Sequence, residues 1–251
     1  MKLLYVNGDS HAAGAEATNL HAWAMDDGEL YHLGYNPHPD NEAVSFGAVL
    51  SKLLGVPRIN QSQSGGGNPR IIRTTREWIA KNQSMLTDVF MLIQWSTWER
   101  EEWFYDNIWW QVNASGIDHV PEFLAQRYKQ FIIDIDWPQC TQQAHVDIWN
   151  FHQELNDTGI RHLFFNANSH FGGLQLVNNL QVPIIPLSER HDWNSCYIDP
   201  YQVEMTYNSL LLKNGFNTVN PASYHFGKDA HTAWAGYMLQ YIKSNNLIKV
   251  P

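Results

Sequence analysis

The sequence predicts an α/β sandwich built on a parallel sheet, and three observations predict it. Short apolar runs alternate along the chain with longer segments of helical periodicity. The run Val89 to Trp95 (VFMLIQW) is continuously apolar, as a central strand buried on both faces should be. Polar segments follow the strand runs, at the sheet edge where ligands of such folds bind.

Taken in order, Leu3 to Val6 (LLYV) reads as a buried strand. Ala43 to Leu54 has helical spacing and Gly55 as a stop, and Val56 to Ile59 is a short strand. Asn68 to Ala80 follows a glycine cluster and carries Ile71, Ile72, Trp78 and Ile79 on a helical pattern. After the central strand, residues 122–134 and 141–155 read as helices with Pro138 between them. His162 to Asn166 (HLFFN) is a buried strand and Val182 to Ile185 a weak one. Pro200 to Leu212 and Thr232 to Ile242 read as helices. No repeat, heptad run or flexible linker divides the chain, so residues 1–251 are expected to form a single domain, with insertions around 12–41 and 97–121. Both insertions leave the expected ligand edge and would wall a pocket.

Composition narrows the function. Of 251 residues, 44% are hydrophobic and 16% charged, the balance of a folded chain rather than a disordered one. The formal charge is −9 and the 16 Lys and Arg are scattered, which argues against nucleic acid or an anionic membrane as partner. No apolar run reaches the length of a membrane helix, and the opening apolar run is too short for a signal peptide, so the expected location is cytoplasmic. Cys140 and Cys196 alone make no disulfide framework or zinc site, and the 12 histidines show no metal-binding pairing, so neither metal nor cofactor is expected. Of 11 Trp, five (Trp95, Trp98, Trp103, Trp109, Trp110) crowd one stretch. They are either core or an aromatic wall that stacks on sugar rings or acyl groups.

The polar segments after the strands carry the chemistry. They are Asn7-Gly8-Asp9-Ser10-His11, Asn60 to Asn68, Gln94-Trp95-Ser96-Thr97, and Gly227-Lys228-Asp229-Ala230-His231. A serine becomes a nucleophile when a base takes its proton and a carboxylate orients the base. Ser10 lies on a glycine-led turn, His231 can be the base, and Asp229 lies on the same segment. The Gly65–Gly67 cluster lets backbone N–H groups approach an oxyanion, and Asn68 or Ser96 could add a side-chain donor. The plainer readings are a capped turn for Gly-Asp-Ser and a helix N-cap for Asp229.

Gly8-Asp9-Ser10 after an N-terminal strand resembles the first block of the SGNH (GDSL-type) hydrolases. Asn60-x-Ser62-x-Ser64-Gly65 resembles their second block, and Asp229 with His231 their last, in the same chain order. The resemblance implies a flavodoxin-like three-layer α/β/α fold and metal-independent ester hydrolysis through an acyl-enzyme. It makes Ser10 the nucleophile and an oxyanion donor, Gly65 a second donor, and Asp229 and His231 the rest of a triad. Two departures stand out. The third block, Gly-x-Asn in the family, reads Gln94-Trp95-Ser96 here, and one residue rather than two separates Asp229 from His231. His11, Trp95 and Trp98 are expected to contact substrate. The expected activity is a serine esterase acting on a small acyl ester, acetyl first, of a small molecule or carbohydrate. The alternatives are an acyltransferase on the same triad, or a catalytically weak carbohydrate-binding or structural protein.

Overall fold

Side chains that alternate along three parallel strands sort the core into two halves, and this makes the molecule three-layered. The structure, a computed structural model, describes residues 1–20, 37–220 and 223–249. In chain order the elements are β1 (Leu3–Asn7), α1 (Ser10–Ala13), α2 (Pro39–Glu42), α3 (Phe46–Leu54), β2 (Arg58–Asn60), α4 (Asn68–Lys81) and β3 (Val89–Trp95). A hairpin of β4 (Glu101–Tyr105) and β5 (Ile108–Val112) follows, then α5 (Glu122–Ile133), α6 (Trp137–Asp157) and β6 (Arg161–Asn166). A second hairpin, β7 (Leu174–Val177) and β8 (Leu180–Pro183), precedes α7 (Tyr207–Lys213) and α8 (Lys228–Ser244).

The main sheet has the order β2-β1-β3-β6, with every neighbour parallel. Tyr5 pairs with Met91 and Leu92 with Leu163. A parallel bridge from Phe164 to Tyr197 extends the β6 edge. Successive strand residues face opposite sides. Leu3, Tyr5, Met91, Ile93 and Phe164 therefore meet α4 and α6 through Ile71, Trp78, Ile148 and Phe151. Leu4, Val6, Phe90, Leu92 and Phe165 meet α3, α7 and α8 through Leu50, Leu211, Trp234 and Met238. This is the expected α/β/α arrangement.

Several element boundaries differ from the sequence reading, among them α3, which starts at Phe46 rather than Ala43 because the Ser45 hydroxyl caps it by accepting from Ala48 N. The last helix starts at Lys228, not Thr232, with Gly227 as its N-cap. Pro138 lies in the first turn of α6, where a missing N–H costs nothing, and Asp136 caps that helix by accepting from Gln139 N. α7 begins at Tyr207 because the Thr206 hydroxyl accepts from Ser209 N. The run from Val182 feeds an antiparallel hairpin, turned by Asn178 and Asn179 with φ of 50° and 63°. Of the insertions, 97–121 carries the β4–β5 hairpin, whose Trp103 packs with Val112, Leu124 and Tyr128. In the insertion at 12–41, residues 21–36 lie outside the described residues.

The α6 face buries a chain of uncharged histidines. A carbonyl only accepts, so His162 Nδ1 donates to Ile160 O (2.9 Å) and its Nε2 accepts from His152 Nδ1 (2.8 Å). His152 Nε2 then accepts from Asn156 Nδ2 (2.9 Å). His145 pairs through Nε2 with Tyr201 OH (2.8 Å). Burial pushes His145, His152 and His162 each down to about 4. In the unfolded chain these groups take up protons near pH 6.5, whereas the folded chain refuses them until about pH 4. Their stabilisation is thus present above pH 6.5 and lost as pH falls towards 4, on the order of several kcal/mol in total. Urea unfolding should show a clearly lower midpoint at pH 5 than at pH 7.5, and an equal midpoint would refute this account.

Candidate active site

The turn after β1 is built around one glycine and one glutamine. A Cβ at Gly8 would lie 2.6 Å from Gln94 Oε1 and 2.7 Å from Ala12 Cβ, so only glycine fits. That Gln94 oxygen, at the end of β3, accepts from Asp9 N (3.1 Å) and Ala12 N (3.3 Å). Asp9 caps α1, its Oδ1 accepting from His11 N (2.9 Å). Ser10 is thereby fixed as the first residue of a short helix at the C-terminal edge of the sheet.

The Ser10 hydroxyl meets an imidazole from the far end of the chain. Ser10 Oγ lies 2.8 Å from His225 Nε2, and His225 Nδ1 lies 2.7 Å from Glu16 Oε2. Glu16 adopts the left-handed backbone region at φ 60°, which costs a non-glycine residue about 1 kcal/mol. Its neighbours hold that turn: Ala15 N donates to Ser10 O (2.9 Å) and Ala17 N to Gly14 O (3.0 Å). Lys228 N, at the start of α8, donates to Ala17 O (3.2 Å), joining this turn to the segment that carries His225. Bonding to the His225 ring lowers the Glu16 carboxyl below its ordinary value. Burial, helped by the nearby His11, lowers the His225 imidazole despite the opposing pull of Glu16.

Asp9 binds the surrounding loops together. It is fully buried, and its Oδ2 accepts from Ser96 Oγ (2.8 Å) and faces Arg100 Nη1 (3.4 Å), while Oδ1 pairs with His11 Nδ1 (2.9 Å). Burial works against the charge, but His11 and Arg100 outweigh it and hold the carboxyl far below the usual range. Arg100 also reaches Gly66 O (3.4 Å), and Gln63 N donates to Gly8 O (3.2 Å). The β2–α4 loop with Gly65, in the left-handed region at φ 80°, thus lies against the Ser10 turn.

The expected site residues divide. Ser10 stands at one end of the hydrogen-bonded chain through His225 to Glu16, but neither His231 nor Asp229 joins it. Because α8 starts at Lys228, these two residues lie in its first turn, and positions i and i+2 of a helix do not face each other. His231 is buried, its Nδ1 accepts from Phe46 N (3.1 Å), and burial pushes it down to about 3. It is an uncharged partner for an unsatisfied N–H at the start of α3. Asp229 is exposed. Ser96 spends its proton on Asp9, so it is not the spare donor the sequence suggested. Asn68 accepts from Ser96 N through Oδ1 (2.8 Å), and its Nδ2 makes one long contact, 3.5 Å, with Ser96 O. The Ser10 and Gly65 backbone N–H groups have no acceptor among the described residues. Of the expected substrate contacts, His11 is buried against Asp9 and packs edge-on to His225 with centroids 5.3 Å apart. Trp95 points away from this edge into the core, against Phe151 and Phe164. Trp98 is buried too, stacked on Phe171 at 4.7 Å.

Sequence reasoning missed His225 and Glu16. His225 lies on a segment leading into a helix at the ligand edge, the placement demanded of a functional residue; Glu16 carries no pattern that would have singled it out. Among the described residues, no three His, Cys, Asp or Glu side chains gather as metal ligands, and no helix is long and apolar enough to cross a membrane. No protein-family profile and no curated protein matches the sequence. A solved structure from Desulfitobacterium hafniense DCB-2, described provisionally as a lipolytic protein of the G-D-S-L family, is similar at 11% identity and a TM-score of 0.43, over 99% of this chain and 100% of that one. Likeness at that level assigns no residue a role.

Replacing Asp9 by Asn keeps a capping oxygen but removes the charge that Arg100 and His11 face. Asp9→Asn should lower unfolding stability in urea by about 3 kcal/mol. A loss under about 0.5 kcal/mol, the scale of an ordinary surface change, would show that Asp9 is not the tie between these loops.

Proposed function

We propose that the protein is a serine esterase that hydrolyses small acyl esters, acetyl esters first, through Ser10, His225 and Glu16. One observation carries the reading: the unbroken chain of contacts from Ser10 Oγ to His225 to the Glu16 carboxylate. An ionised Glu16 takes the Nδ1–H proton in a hydrogen bond, which leaves Nε2 as the acceptor facing the hydroxyl. Ser10 Oγ attacks the ester carbonyl carbon as its proton passes to His225 Nε2. The tetrahedral adduct collapses, His225 returns that proton to the departing alcohol, and the acyl group stays on Ser10. Water then attacks the acyl-enzyme with His225 again as base, releasing the acid and restoring the serine. The Ser10 and Gly65 N–H groups would stabilise the oxyanion, with Asn68 Nδ2 as a third donor.

The neutral imidazole is the working base, and its pKa is lowered by burial. The acid limb of kcat/KM for p-nitrophenyl acetate should therefore lie below pH 6.5, the ordinary histidine value. Ser10→Ala and His225→Ala should each lower kcat/KM by about 10³-fold or more, and Glu16→Gln by about 10²–10⁴-fold. His231→Asn, which keeps an acceptor for Phe46 N, should stay within about threefold of wild type. Turnover that survives Ser10→Ala, or that falls with His231→Asn while His225→Ala is spared, would refute the assignment.

A further inference from the structure

The loop that carries Gly65 is tied to the Ser10 turn through one residue, Gln63. Gln63 N donates to Gly8 O (3.2 Å), in the turn that presents Ser10, and Gln63 O accepts from Gly66 N (3.1 Å), next to Gly65. The position of Gln63 therefore sets where Gly65 lies relative to Ser10. The run Gly65 to Gly67 has the freest backbone available, so its place has to be imposed from outside.

Arg70, in the first turn of α4, imposes it. Its Nε donates to Gln63 Oε1 (2.6 Å) and its Nη2 to Gln61 O (3.0 Å). A Cβ at Gly66 would lie 3.4 Å from Arg70 Cδ, so the arginine stem also runs against the loop. Arg70 is only 5% exposed, both of its acceptors are neutral amide oxygens, and its Nη1 has no partner among the described residues. Burial lowers the guanidinium to about 10, which leaves it charged at neutral pH. A buried charge held only by neutral groups is unfavourable, so its shape has to justify it. The rigid planar fork fixes two acceptors at once, where an ammonium is a point donor. Those acceptors lie on either side of Ser62, so the fork sets the direction of the loop as well as its place. Arg100 does not duplicate this hold: it meets the loop once, at Gly66 O (3.4 Å), and its charge faces Asp9.

We infer that Arg70 is a positioning residue of the candidate active site, acting through Gln63 to hold the Gly65 N–H in place for the oxyanion of a Ser10 adduct. Its part in the reaction rests on the esterase reading; its hold on the loop does not. The test compares Arg70→Met and Gln63→Met, which break the same bond from its two sides, with the double variant. Each single variant should lower kcat for p-nitrophenyl acetate by about 10²-fold, the scale of a lost oxyanion donor, with KM within about threefold of wild type. The double variant should fall no further than the worse single one, because both remove one contact. The acid limb of kcat/KM should stay at the wild-type pH, since His225 and Glu16 are untouched. Gln63 is half-buried, so Gln63→Met should fold even where Arg70→Met does not, and circular dichroism verifies each fold. A kcat within about threefold of wild type in the folded single variants, or a loss confined to KM, overturns the inference.

Amide hydrogen exchange of the same variants reads the loop without the reaction. Exchange at Gly66 N should quicken by about tenfold or more while the amides of β1 and β3 keep their wild-type rates. Unchanged exchange at Gly66 overturns the hold on the loop. Parallel assays of the wild-type and Ser10→Ala proteins separate the two readings. Turnover indifferent to Ser10, with quickened exchange at Gly66, removes the esterase and keeps Arg70 as the anchor of the loop. Ser10-dependent turnover with undiminished kcat in the variants keeps the esterase and removes Arg70 from its machinery.

Discussion

A single buried carboxylate, Asp9, holds the site together, and its position follows from the strand before it. β1 is packed on both faces, so its end is fixed to within a side chain's reach of β3. Gly8 allows the chain to turn against Gln94 without a Cβ in the way, and the next residue is delivered into the interior. A carboxylate there is unfavourable unless every oxygen is used. Asp9 uses both: one side caps α1 and pairs with His11, and the other meets Ser96 and Arg100. One charge thus fixes the helix start that presents Ser10, the end of β3, and, through Arg100, the glycine loop after β2.

The carboxylate that faces His225 comes from the Ser10 segment itself. Glu16 lies on a turn six residues beyond Ser10, in the left-handed backbone region, and its Oε2 reaches His225 Nδ1. Ser10 and Glu16 then share one short segment, tethered to the segment that carries His225 by the bond from Lys228 N to Ala17 O. The cost of the unusual backbone is small beside the gain from a charged hydrogen bond in a partly buried place.

Much of the fold was legible in the sequence because its signals are local. The β3 run is apolar without interruption since both faces of that strand are covered, and its observed limits match the run itself. The periodicity of α4 and α6 likewise records the single face each turns to the sheet. The site was legible only where a block of adjacent residues forms one turn, as at Gly8-Asp9-Ser10. It was illegible where function depends on a helix boundary. Starting the last helix at Thr232 leaves Asp229 and His231 on a loop where they could meet, whereas the actual start at Lys228 turns them apart. Gly227, the N-cap, was the available signal. Nothing local marks Glu16, since its role exists only once residues 16 and 225 are brought together by the fold.

Three histidines lie close together here, and what their two nitrogens face separates their roles. His231 Nδ1 accepts from the Phe46 N–H, and full burial keeps the ring uncharged, so this nitrogen serves as a fixed acceptor. His11 gives Nδ1 to Asp9, and its Nε2 has no partner, which makes it part of the electrostatic surroundings of His225 rather than a second base on Ser10. His225 alone has a carboxylate on one nitrogen and a hydroxyl on the other. An imidazole moves a proton only when one nitrogen is anchored as donor and the other is left to accept from the reacting group. Position in a motif cannot supply that condition, whereas the partners of both nitrogens can.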